Sequence, residues 1–206
     1  MTQATQERKK SFSSFTYKEA FQQLGITELS RWNLVAEPVP MSDFFQQRLD
    51  RLQRFDLESL EVSKTLLIDA ICEEGLEGFD RLKVWKGAYL EGEKTCGNAD
   101  YLIAERRAYL EAPFVCVIEA KKDDFEQGTA QCLVEMQACQ WMNRQLGQDL
   151  TIYGIVTNGE GWKFYRLAID GAGAETLLHG IGEMPILLGL LRTFFGFCAQ
   201  NLPFCL

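Results

Sequence analysis

Apolar residues recur at the 3.6-residue spacing of a helix in four parts of the chain. The first helix is short, because Thr16 is a typical N-cap and Gly25 a typical stop. A longer helical pattern begins after Ser42 and continues as one or two helices to Gly75. Two further helices are predicted, over 125–146 with Asp123 or Asp124 as cap and Gly147 as stop, and over 184–201.

Between these helices the period changes to the short apolar runs of strands. Five strands are predicted, over residues 82–90, 99–104, 114–120, 150–158 and 161–169. The order is helix, three strands, helix, two strands, helix, which predicts an α/β fold with a mixed central sheet of about five strands flanked by helices. We divide the chain into a helical N-terminal extension, 1–56, with a frayed start to residue 15, and a domain at 57–206.

The composition of the chain excludes several classes of binding and catalytic site. The net charge of -8 argues against a surface built wholly for phosphate backbones, although a local basic cleft remains compatible with it. One histidine, His179, and seven cysteines without a CxxC pair argue against a Ser-His-Asp triad and against zinc sites. With neither a secretory pattern nor an apolar run of about 20 residues, we expect a cytoplasmic protein that does not enter the membrane. Catalysis here therefore depends on carboxylates and lysines.

The stretch FVCVIEAKKDD, residues 114–124, carries the candidate chemistry. Five apolar residues lead directly into Glu119 and Lys121, and strand alternation places these two side chains on the same side. A Glu-x-Lys pattern is weak alone, since residues 7–9 also match it. Its context is informative, because it ends an apolar strand and precedes a helix.

Asp100 lies in the preceding predicted strand, where an ionised carboxylate is costly unless it is paired or holds a metal. Two carboxylates from neighbouring strands and a backbone carbonyl would form an oxygen-rich pocket suited to Mg²⁺ or Mn²⁺. Lys121 would point into the same pocket and supply a cation. The alternative is an ion pair that sets the register of the strands and catalyses nothing.

With Asp100, Glu119, Ala120 and Lys121 in this order, residues 58–168 resemble the PD-(D/E)XK, or restriction endonuclease-like, nuclease superfamily, including the nuclease domain of type I restriction enzyme motor subunits. The resemblance implies a restriction endonuclease-like core. It implies that Asp100, Glu119 and the Ala120 carbonyl bind the metal and that Lys121 assists catalysis. The residue before Asp100 is Ala99, where the superfamily's name has proline.

The resemblance also implies roles for two residues on helices. The helix before the strands often contributes a glutamate, here Glu61 with Glu58 as the rival, and either is also consistent with a solvated helix face. The helix after the lysine often contributes a glutamine, and Gln131 fits. Gln127, four residues earlier, lies on the same face and is a candidate companion.

We therefore expect a Mg²⁺-dependent nuclease that hydrolyses DNA, or alternatively RNA, in restriction, repair or defence, and that acts as a homodimer because a duplex has two strands to cut. The rival from another class is a binding or assembly module that kept the fold and lost the reaction. A small-molecule enzyme ranks last, because no glycine-rich phosphate loop is present.

Overall fold

The computed structural model describes residues 8–57, 61–121 and 124–203, and only the backbone of residues 61 and 62. It is an α/β structure in which a mixed sheet is flanked by helices. The helices are α1 (Tyr17–Leu24), α2 (Asp43–Leu52), α3 (Glu61–Gly75), α4 (Phe125–Gln145) and α5 (Met184–Gln200).

Three predicted helix caps are confirmed. The Thr16 side chain accepts from the backbone N–H of Glu19 in a reciprocal capping box. Ser42 and Asp124 cap α2 and α4 in the same way, each accepting from the backbone N–H three residues later. Polar residues before apolar stripes therefore located three helix starts correctly.

Within the described residues the sheet has nine strands rather than about five. They are β1 (Lys10–Ser11), β2 (Ser30–Arg31), β3 (Leu82–Glu91), β4 (Thr95–Glu105), β5 (Phe114–Ala120), β6 (Ile152–Thr157), β7 (Gly161–Leu167), β8 (Gly173–Glu175) and β9 (His179–Gly180). The five predicted strands are β3 to β7. The other four have two or three residues, too few for a period to show in the sequence.

The strand order is β1-β4-β5-β6-β7-β8-β2, with β3 beside β4 and β9 beside β7. Strands β5 and β6 are parallel, and α4 makes the crossover between them. The other neighbouring pairs are antiparallel, except β1 with β4 and β2 with β8. Because β1 and β2 belong to this sheet, the described start of the chain is ordered against the core, and the frayed start expected to residue 15 is wrong from residue 10 onward.

Helices cover both faces of the sheet. One apolar cluster packs under α4 and α1, and a second packs under α2, α3 and α5. Every residue of β5 is buried, as expected for a central strand covered on both sides. A charged residue at the end of this strand is therefore enclosed by protein.

The segment Ile181–Gln200, which contains α5, is long and apolar enough to cross a membrane by length and composition alone. Half of it is buried inside the fold, where α5 packs beside α3. In this structure it is a core helix.

Candidate functional site

The end of β5 presents two opposite charges on the side that α4 covers. Lys121 Nζ lies 2.6 Å from Glu119 Oε1, which confirms that the two side chains point the same way. At this distance the ammonium and the carboxylate form an ion pair. No other described residue donates a hydrogen bond to either Glu119 oxygen. The Glu119 side chain has no exposed surface, whereas that of Lys121 is 22% exposed.

Asp100 lies where β4 separates from β5. The paired register of these strands runs from Ala104 to Tyr101 on β4, and just beyond it Asp100 Oδ2 accepts a 2.9 Å hydrogen bond from the backbone N–H of Ala120. The carboxylate thus binds the last backbone donor of β5 and is held beside Glu119. The half-buried Asp100 and Lys121 form the part of the site that reaches solvent.

The sheet is irregular on the other side of Asp100 as well. The β3–β4 register passes from Lys86↔Tyr101 to Ala88↔Ala99, with Gly87 between them at φ 63°, a conformation that glycine adopts without steric cost. Tyr101 packs in the cluster under α3 and Ala99 in the cluster under α4. In a regular strand, residues two positions apart face the same side of the sheet. Ala99 and Tyr101 face opposite sides, so the strand changes face at Asp100.

Helix α4 supplies the amide and a further carboxyl group. Lys121 Nζ donates to Gln131 Oε1 at 3.1 Å, and Gln131 Nε2 donates to Glu135 Oε1 at 3.1 Å. Glu135 is fully buried, one helical turn after Gln131. We call Asp100, Glu119, Lys121, Gln131 and Glu135 the carboxylate site.

Gly128 allows the first turn of α4 to approach β5 and β6 closely. A Cβ atom at this position would lie 2.7 Å from Val156 Cγ1 and 3.0 Å from Lys121 Cγ. Both distances are shorter than comfortable carbon contacts. The absence of a side chain at Gly128 is therefore part of what brings Gln131 within reach of Lys121.

Burial controls the protonation of the two glutamates. The pKa of Glu119 is raised to about 8, first by loss of solvent and then by the negative charge of Asp100, and the ammonium of Lys121 offsets only part of this. The pKa of Glu135 is raised well above its usual range, again first by burial and then by the charge of Glu119. Burial therefore favours the protonated form of both glutamates, and at Glu119 it works against the ion pair with Lys121.

The remaining sequence candidates have separate outcomes. Glu61 begins α3, but its side chain lies outside the described part of the structure, as does the whole of Glu58. Gln127 lies on α4 one turn before Gln131, and its Nε2 donates to the backbone oxygen of Ser13 at 3.2 Å. It connects the N-terminal segment to α4 and does not contact Lys121.

Three basic residues in the middle of the chain, where the charge left a local basic cleft open, are engaged by neighbouring groups. Lys86 donates to Asp69, Lys83 donates to the backbone oxygen of Arg107, and Arg107 itself pairs with Glu105 and Glu111. Basic residues also line a groove of about 670 Å³ at the junction of β1 and β4, where Lys9 pairs with Glu91 and Lys10 pairs with Glu19. It is lined by Arg8, Lys9, Lys10, Ser11, Ser14, Cys96 and Gly97. This groove was not predicted from the sequence.

Two observations bear on whether a divalent cation fits. Within the described residues, no group of three or more His, Cys, Asp and Glu side chains is arranged to hold a metal. The predicted donor set is smaller, with two carboxylates, Asp100 and Glu119, and the Ala120 carbonyl. Glu119 Oε1 faces the Lys121 ammonium, and Glu119 Oε2 is buried without a hydrogen-bond partner in this part of the chain. Carboxylate oxygens of this kind suit Mg²⁺ or Mn²⁺. The donor chemistry therefore fits a cation that takes the place of the Lys121 ammonium at Glu119.

Sequence reasoning missed Glu135 and Gly128. The sequence does contain a signal for Glu135. It is the one charged residue between Ala130 and Ala138, and it lies four residues after Gln131. The importance of Gly128 depends on the distance between α4 and the sheet, which no periodicity reveals.

No family model matches the chain. The sequence is similar to Crinkler effector protein 1 of Rhizophagus irregularis, with 26% identity over 132 residues. The match covers 61% of this chain and 27% of that protein, so this chain corresponds to about a quarter of the relative's length.

Proposed function

We propose that this protein is a metal-dependent nuclease with a restriction endonuclease-like core that hydrolyses phosphodiester bonds of DNA. The observation that carries the proposal is the meeting of Asp100, Glu119 and Lys121 at one end of β5, with Gln131 against the lysine. This is the arrangement that the PD-(D/E)XK resemblance implies. The similarity to an effector protein supports placing the reaction within a longer effector chain.

Asp100 and Glu119 would hold the Mg²⁺ or Mn²⁺ ion, with the Ala120 carbonyl as a third donor. The bound metal would supply positive charge to the phosphoryl oxygens and lower the pKa of a water molecule. Glu119 must release its proton before it can act as a ligand, so metal binding at neutral pH is coupled to proton release.

Lys121 is the side chain of this protein that would act directly on the reacting groups. Its ammonium, now between Glu119 and Gln131, donates to the attacking water or to the charge that develops on the phosphate. If Glu119 bound the metal ion, Gln131 would remain as the acceptor that keeps the Lys121 ammonium in the site.

The decisive experiment is hydrolysis of single- and double-stranded DNA, and of RNA, by the full chain with Mg²⁺ or Mn²⁺. We expect metal-dependent cleavage that Glu119→Gln abolishes, while Glu126→Gln, an exposed acid on α4, cleaves like the wild type. Absence of cleavage with every substrate and both metals would refute the nuclease proposal.

A binding or assembly module is the second candidate, favoured by the complete enclosure of Glu119 and its ion pair with Lys121. Calorimetry with Mn²⁺ separates the two functions. A hydrolytic site takes up Mn²⁺ in a manner that Asp100→Asn removes, whereas a closed ion pair binds no Mn²⁺ in either protein.

A further inference from the structure

A buried glutamate stands behind the lysine and glutamine of the carboxylate site. Glu135 accepts from Gln131 Nε2 at 3.1 Å, and the other end of the same amide accepts from Lys121 Nζ at 3.1 Å. The three side chains therefore form one line from the core to the site.

We propose that Glu135 is a positioning residue: it fixes the orientation of the Gln131 amide and thereby the place of the Lys121 ammonium. The inference deepens the proposed nuclease function and rests on it for its effect on catalysis. Glu135 acts through Gln131 and is not a catalytic residue.

The chemistry of the three groups requires this orientation. An ammonium only donates hydrogen bonds, and an amide accepts at its oxygen and donates at its nitrogen. Gln131 therefore helps Lys121 only when its oxygen faces the lysine. The flipped amide would set its NH₂ against the ammonium, and Glu135 Oε1 is the acceptor that the nitrogen end meets in the orientation observed.

The position of Glu135 is hard to explain by stability alone. Glu135 is fully buried, as are its apolar neighbours Val134 and Met136. Glu135 Oε2 has no hydrogen-bond partner among the described residues. A buried acid with an unsatisfied oxygen costs free energy that leucine would not. The hydrogen bond to Gln131 is the feature that leucine cannot replace.

The test compares Glu135→Leu with Glu135→Gln in the full chain. Leucine fills the space without an acceptor, and we expect kcat to fall about 10- to 100-fold with KM and Mn²⁺ affinity unchanged, as for other residues that orient a functional group. Glutamine retains an oxygen that can accept from Gln131, so it should keep kcat within about threefold of wild type. Glu126→Gln is the matched control on the same helix.

A double-mutant cycle identifies the route of the effect. If Glu135 acts through Gln131, then Glu135→Leu lowers kcat no further in a Gln131→Ala background. Multiplying losses would overturn the proposal, and so would a loss in Glu135→Gln as large as that in Glu135→Leu. Thermal unfolding of Glu135→Leu at or above the wild-type temperature excludes damage to the fold as the cause.

A readout without substrate separates this inference from the proposed function. In ¹⁵N-labelled protein without metal or nucleic acid, the side-chain amide signals of Gln131 should match in wild type and Glu135→Gln and shift in Glu135→Leu. An unshifted signal in Glu135→Leu overturns the positioning role whether or not the protein hydrolyses DNA. If wild type never hydrolyses, the nuclease proposal fails, and the amide spectrum still decides the orientation of Gln131.

Discussion

Helix α4 meets strand β5 at two ends, and these ends treat buried polar groups differently. At the start of β5, Asn143 accepts from the backbone N–H of Phe114 at 2.9 Å and donates to the Phe114 oxygen at 2.8 Å. At the other end, Glu119 Oε1 is paired only with the Lys121 ammonium, and Glu119 Oε2 and Glu135 Oε2 lack a hydrogen-bond partner within the described chain. At the first end the buried amide of Asn143 has its hydrogen-bond partners. At the second end buried acids are retained at a cost in free energy.

The difference separates structural from functional polarity. A buried amide whose donors and acceptors are matched contributes to stability and to the placement of a helix. Buried acids with unmatched oxygens lower stability, so their presence requires another reason. Four substitutions test this contrast, from the largest expected effect to the smallest.

Lys121→Ala should reduce metal-dependent hydrolysis by about 10²- to 10³-fold, because it removes the cation that donates to developing charge. The measurement is the cleavage rate at saturating metal. Lys18→Ala, an exposed lysine on α1, is the control and should cleave at the wild-type rate. A Lys121→Ala rate within threefold of wild type contradicts a role for the ammonium in the reaction.

Asn143→Leu should lower the free energy of unfolding by about 2 to 4 kcal/mol, since it leaves the N–H and C=O of Phe114 buried without partners. Urea denaturation measures this, with Gln145→Leu as control because Gln145 is exposed on the same helix. A loss no larger than that of the control would show that the two hydrogen bonds between Asn143 and Phe114 do not contribute to stability.

Glu119→Gln should change the pH dependence of stability. The folded pKa of Glu119 is raised from 4.5 to about 8, so the folded state holds a proton that the unfolded chain has released. Wild-type stability from this group is full below pH 4.5 and is lost as pH rises through 8. Between pH 5 and pH 8 wild type should lose about 3 to 4 kcal/mol relative to Glu119→Gln.

Urea denaturation of both proteins across this pH range provides the measurement, with Glu126→Gln as the control that should follow wild type. Parallel stability profiles for wild type and Glu119→Gln would show that Glu119 ionises at an ordinary pH.

Gly128→Ala should cost about 1 kcal/mol of stability, because crowding against Val156 exceeds the gain of about 1 kcal/mol in helix propensity. Hydrolysis should fall more than this suggests, since the new methyl group also displaces Lys121. Denaturation and cleavage rates are compared with those of Gly182→Ala, where a Cβ would meet open space. Equal behaviour of the two variants would remove the packing argument.

The candidate site was predictable where chemistry and sequence spacing coincide. Glu119 and Lys121 are two residues apart on a strand, so alternation alone placed them together, as the 2.6 Å contact confirms. Gln131 came from the resemblance and lies at the lysine. Glu135 was missed because a helical pattern treats a position among apolar residues as core without asking what its charge contacts.

The N-terminal part was predicted less well. Strands β1 and β2 exist because Lys10 and Ser30 find partners at Thr95 and Ala174, more than 80 residues away in each case. Two-residue strands have no period of their own, so their backbone hydrogen bonds depend on an edge that the rest of the fold provides. The number of strands was therefore underestimated.

The sequence by itself determined three helix starts, the five longer strands and the common direction of Glu119 and Lys121, because caps and periodicity are local properties of the chain. Only the tertiary structure decided that Asp100 binds the backbone of Ala120, that Gly128 admits α4 to the sheet and that Glu135 reaches Gln131. These contacts join segments through space, and burial sets their energies, including the raised pKa of Glu119. Burial is a property of the packed fold and not of any one segment.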